Sequence, residues 1–177
     1  MGEKHWEING NLNNNFSGMK HYRSFELAIC KVKALFDDSY GLDLLNKVDF
    51  YVDNATADSG YAPIATVVLK KIVIIKLGIH PQDSECTVAF QFSHELMHVV
   101  FYAVWGMDKP HANIAEESIC SAAALIIIRL LYPDSFAVYD SYVRGHTNEG
   151  YRNGLDVAKN AEFSLKKLIP LVESITY

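Results

Sequence analysis

The chain has 177 residues, half of them hydrophobic and 21% charged, with a formal charge of -5 and a pI near 5.8. That length suits one domain with one core, and the composition excludes a disordered or fibrous chain. The acidic balance gives no electrostatic reason to expect nucleic acid or an anionic membrane as partner, since the only basic cluster is Lys70, Lys71 and Lys76.

In chain order, residues 1–20 are rich in Asn and Gly and predict an irregular arm. No apolar segment there resembles a secretory signal. Ser24 is a candidate N-cap for an amphipathic helix carrying Phe25, Ala28, Ile29, Val32, Leu35 and Phe36 at helical spacing. "KVDFYVDN" alternates and "IATVVLKKIVIIKLG" is dense in β-branched residues, so both predict strands, with a turn or bulge at Lys70 and Lys71. A long helix follows, capped at Asp83 or Ser84 and stopped at Gly106. The next helix begins near Asn113 and ends before Pro133. The remainder reads as further helix with a break or kink at Pro170. The longest apolar run, Ala122 to Ile128 with Leu130 and Leu131 beyond it, falls short of the ~20 residues a membrane span needs. Cys30, Cys86 and Cys120 form no CxxC pair and are odd in number, which fits free thiols. A soluble, cytoplasmic protein is the expectation.

The chemistry concentrates in "FQFSHELMHVVFYAVWG", residues 90–106. His94 and His98, four apart, project from one helix face and can offer two imidazole nitrogens to one cation. Glu95 sits beside that face, where a carboxylate can take a proton from water at the metal. With 7 His in the chain, chance would produce H-E-x-x-H about 0.015 times. Leu96, Met97, Val99 and Val100 should be core beneath the site. Phe101 and Val104 stand where the metzincin extension needs Gly and His, and Leu96, Met97 and Cys86 lack the peptide deformylase pattern. Asp108 and His111 lie in the loop after the helix, but a helix continuing from His98 to Gly106 carries the chain roughly 12 Å away before that loop begins.

"HELMH" followed by 18 residues and Glu117 resembles the gluzincin group of zinc metallopeptidases, which includes thermolysin-like proteases and many aminopeptidases. The resemblance spans roughly 50 residues. It implies Zn2+ held by His94, His98 and Glu117, a peptide or protein substrate, and Glu95 as general base. Glu116 is the rival ligand, but Asn113 followed three residues later by Glu116 reads as a capping box, which leaves Glu117 to turn inward. Thermolysin-like members carry an Asp four residues after the ligand Glu to orient a histidine; Ser121 stands there in this chain. "EESICSAAALIIIRLLYP" is also loosely similar to a helix of small metallopeptidases related to ImmA and IrrE. Such families draw an oxyanion donor from the C-terminal part, where Tyr142, Arg144, His146 and Tyr151 are available; Tyr151 and His146 are chosen. Substrate is expected along the edge strand before the motif helix, placed in "KKIVIIKLG".

The resulting expectation is one small α+β zincin-like domain over residues 1–177, with a short mixed sheet packed on the motif helix and a helical C-terminal part. Its function would be zinc-dependent peptide-bond hydrolysis. The alternatives are a non-catalytic binding or regulatory module on that fold and a zinc hydrolase of a non-peptide amide.

Overall fold

The structure is a computed structural model, described here for residues 6–8, 22–54, 62–80 and 82–177. Among these residues the chain forms a four-stranded mixed sheet and seven α-helices. The strands are β1 (Trp6–Ile8), β2 (Asp49–Asn54), β3 (Ile64–Val68) and β4 (Ile72–Leu77). The helices are α1 (Tyr22–Tyr40), α2 (Leu42–Leu45), α3 (Glu85–Trp105), α4 (Ile114–Leu131), α5 (Phe136–Gly145), α6 (Glu149–Asn160) and α7 (Ile169–Ser174). None of the helices is long and apolar enough to cross a membrane.

Strand order is β1-β2-β4-β3, with β1, β2 and β4 parallel and β3 antiparallel to β4. Phe50 and Val52 on β2 alternate inward with Val73, Ile75 and Leu77 on β4, as period-two patterning requires. β3 and β4 form a hairpin whose turn places Leu69 and Lys70 in the left-handed region, at φ 53° and 56°. The turn spans residues 69–71, so Lys70 and Lys71 both lie in it as the lysine pair suggested. β4 lies between β2 and β3, so the segment expected to offer an edge is an interior strand; among the described residues the edge strand before the motif helix is β3. Trp6–Ile8, within the stretch read as an irregular arm, instead pairs with Phe50–Val52 and stacks Trp6 on Phe50. The rest of that arm lies outside the described residues.

α3 packs against α1, α4 and the β3–β4 hairpin. Two side-chain amides fix the chain entering it. Asn54 both donates to the Ile79 carbonyl and accepts from its N–H, while Gln91 does the same with Gly78. Ser84 caps α3 by accepting from Thr87 N–H, and Gly106, at φ 87°, ends it. Leu96, Met97, Val99 and Val100 are fully buried, joining one continuous core that extends through α4. α4 is buried on almost every side, which explains its near-continuous apolar run as a central helix. The α4–α6 crossing is close because Gly150 and Gly154 face Glu117 and Ser121.

Two boundary expectations change. α1 starts at Tyr22, so Ser24 lies within its first turn rather than at its cap. The break in the C-terminal part falls at Glu162 and Phe163, both with positive φ, and Pro170 sits in the opening turn of α7, where its missing N–H costs nothing. α7 and the tail after it meet the end of α3: Trp105 donates to the Val172 carbonyl and meets Tyr177 edge-on.

Candidate functional site

His94 and His98 occupy successive turns of α3, with ring centroids 5.2 Å apart and both residues buried. Glu117, in the first turn of α4, reaches both imidazoles. Its Oε2 is 3.2 Å from His94 Nε2 and its Oε1 is 3.6 Å from His98 Nε2. The three residues singled out as ligands therefore meet through these atoms, and two imidazoles with one carboxylate are a donor set suited to a divalent transition metal. Asp108 is on the surface, paired with Lys70, and His111 is exposed, so neither joins the cluster.

Glu116 departs from the sequence expectation. Its backbone N–H is capped by Asn113 Oδ1, but its side chain does not return to the cap. It is wholly buried behind His98, with Oε1 2.7 Å from His98 Nδ1. A carboxylate on the far ring nitrogen fixes the tautomer and orientation of a histidine whose other nitrogen is free to ligate. The Oε2 of Glu116 accepts from Lys109 Nζ at 2.8 Å and Tyr177 O–H at 2.5 Å. Burial opposes its ionisation, but these donors outweigh that effect and hold Glu116 below the usual carboxylate range. Burial likewise disfavours His98 as a cation, and the Glu116 hydrogen bond with the nearby carboxylates overcomes it, raising His98.

Cys120, one turn beyond Glu116, has its fully buried Sγ 3.5 Å from His98 Nδ1. His94, His98 and Cys120 bring ligand atoms within 4.8 Å of one another and could hold a metal ion. Burial pushes the Cys120 thiol well up, with Glu116 and Glu117 adding to the effect, which disfavours a free thiolate. In the sequence Cys120 reads only as a free thiol. Helical spacing offered a signal, because Glu116 and Cys120 are four apart and share a face.

Glu95 is buried beside the two histidines. Burial raises its carboxyl above the ordinary range; the histidines and a hydrogen bond from the β3 backbone at Ala65 draw it partly back, and Glu117 opposes them. Strand β3 thus touches this carboxylate directly. Tyr151 stacks on His94, with centroids 4.6 Å apart, and its other neighbour His146 stacks at 4.1 Å. Burial and the Glu95 and Glu117 charges push the Tyr151 hydroxyl up, so it remains a donor at neutral pH. Arg144 pairs with Asp140 instead, and Tyr142 lies edge-on to Phe90 at the mouth of the site.

A cleft of about 310 Å³ opens onto His94 and Glu95. Phe90, Val138, Tyr139, Tyr142 and Tyr151 supply half of its lining residues. Two buried polar atoms, His94 Nδ1 and Ser121 Oγ, have no hydrogen-bond partner among the described residues. The Nδ1 of His98 is therefore met by a carboxylate and that of His94 is not, while both Nε2 atoms face Glu117.

Comparison with known proteins returned no matching family model, no matching curated protein and no matching solved structure.

Proposed function

We propose that this chain is a zinc-dependent metallopeptidase with a zincin-like fold, in which His94, His98 and Glu117 hold the metal and Glu95 is the general base. The observation that carries the reading is the Glu117 carboxylate lying 3.2 Å and 3.6 Å from the two Nε2 atoms, beside a buried Glu95. Zinc held there would supply a Lewis acid that polarises a carbonyl and acidifies water. Glu95 would accept the proton of the attacking water and return it to the leaving amine, a role suited to a carboxyl that burial raises above the ordinary range. Tyr151 would donate its O–H to the developing oxyanion, with stacking on His94 and His146 fixing its ring. The cleft walls are apolar and aromatic, so they suit an apolar side chain of a peptide substrate.

The test combines metal analysis with cleavage of a peptide library by wild type and Glu95→Gln. Wild type should hold about one zinc per chain and cleave; Glu95→Gln should keep the zinc and lose roughly 10²-fold or more of the rate. Carefully reconstituted wild type without zinc would end the reading. A second reading, a non-catalytic metal-stabilised module, is favoured by Cys120, which with the two histidines makes a wholly buried ligand group. It predicts zinc binding with no cleavage by wild type.

A further inference from the structure

We infer that Lys109 and Tyr177 are positioning residues, which act through Glu116 to present His98 to a metal. The inference rests on the reading that His98 ligates through Nε2. A carboxylate buried alone is costly, so the partners of Glu116 decide what it can do. Lys109 and Tyr177 both bond to Oε2, which leaves Oε1 to His98 Nδ1. A loop lysine could point into water at no cost, yet the Lys109 side chain is only 2% exposed. Its ammonium lies over the rings of Tyr102 and Tyr177, at 4.7 Å and 5.1 Å from their centroids.

Two consequences follow for the site. A carboxylate that accepts at Nδ1 requires the proton of neutral His98 on that nitrogen, so the Nε2 lone pair faces Glu117. The Lys109 charge also offsets that of Glu116, so Glu117 does not face a second uncompensated carboxylate in the same buried space. Capping of α4 explains neither arrangement, because Asn113 performs it with the Glu116 backbone.

The test uses Tyr177→Phe and Lys109→Met, with two readouts. Nitrogen-15 NMR of the metal-free protein, recorded at a pH high enough that His98 is neutral, should find its proton on Nδ1 in wild type, with the variants shifted towards the Nε2–H form. Zn2+ competition against a chromophoric chelator should show affinity falling roughly 10-fold or more in each variant. Lys109→Arg, which keeps the charge and the donors, should recover much of the loss. If Lys109→Met fails to fold, Tyr177→Phe removes a single hydroxyl and carries the test alone. Neutral wild-type His98 carrying its single proton on Nε2, or variants that retain both the tautomer and wild-type zinc affinity within about twofold, would overturn the inference. A wild type that binds no zinc defeats the proposed peptidase, while the tautomer measurement still decides the role of these two residues.

Discussion

Gly150 on α6 lies directly against Glu117 on α4: a Cβ added at Gly150 would stand 2.4 Å from the Glu117 Cβ. The approach of one helix thereby limits where the carboxylate can sit. Gly154, one turn on, does the same to Ser121, with 2.5 Å to its Cβ. Ala at either position should destabilise the fold by about 1–3 kcal/mol through overpacking, measured by denaturant unfolding of the metal-free chain. Only Gly150→Ala should also weaken zinc binding. Equal zinc affinities in the two variants would show that this packing does not position the ligand.

Glu116 and Glu117, adjacent in sequence, should behave as a supporting residue and a ligand. Glu117→Ala is expected to weaken zinc by more than the roughly 10–100-fold typical of losing an outer partner, which is the effect expected for Glu116→Ala. Chelator competition on both variants checks this, and the reverse order would exchange their roles.

Cys120→Ser separates the two possible ligand groups. If Glu117 completes the set, zinc affinity should change by no more than a few-fold. A loss on the scale of a ligand would assign the third position to the thiol and favour the non-catalytic module.

Glu95 has a pH signature. Its folded-state pKa is raised by burial, so its contribution to stability is present below the ordinary carboxylate range and is lost as pH rises through the folded value. Glu95→Gln imitates the neutral form at every pH. The metal-free variant should melt higher than wild type at pH 7, with the difference closing as pH falls towards 4. A lower melting temperature at neutral pH would mean that the charged carboxylate is well compensated.

The β3–β4 turn holds two non-glycine residues at positive φ, each costing about 1–2 kcal/mol relative to a residue that accepts this region. Leu69→Asn with Lys70→Gly should therefore stabilise the hairpin by about 1–2 kcal/mol in thermal unfolding. The Lys70–Asp108 pair lost in the exchange is exposed and contributes little.

The local elements were the most legible in sequence. Ser84, Gly106 and Asn113 act where cap chemistry places them, because a cap is decided by the next three or four residues. Glu117, whose carboxylate meets the two Nε2 atoms, is the residue that the gluzincin resemblance implies as third ligand. What failed depends on partners distant in sequence. Glu116 was read as a cap residue because its local surroundings satisfy that role, while its side chain is decided by His98, Lys109 and Tyr177. The edge strand was misplaced because hydrophobic density marks a strand without giving its order in the sheet, and Ile72–Leu77 is the denser segment precisely where two neighbours flank it.

The two tryptophans have separate sets of neighbours. Trp6 stacks on Phe50 at the β1 edge with the Lys33 ammonium over its ring, while Trp105 bonds through its indole N–H to Val172 and meets Tyr177 edge-on. Their intrinsic emission therefore carries two separable signals, one from the sheet margin and one from the tail that closes over the buried Glu116. Replacing either indole with Phe would isolate the other as an optical record of how its surroundings come apart.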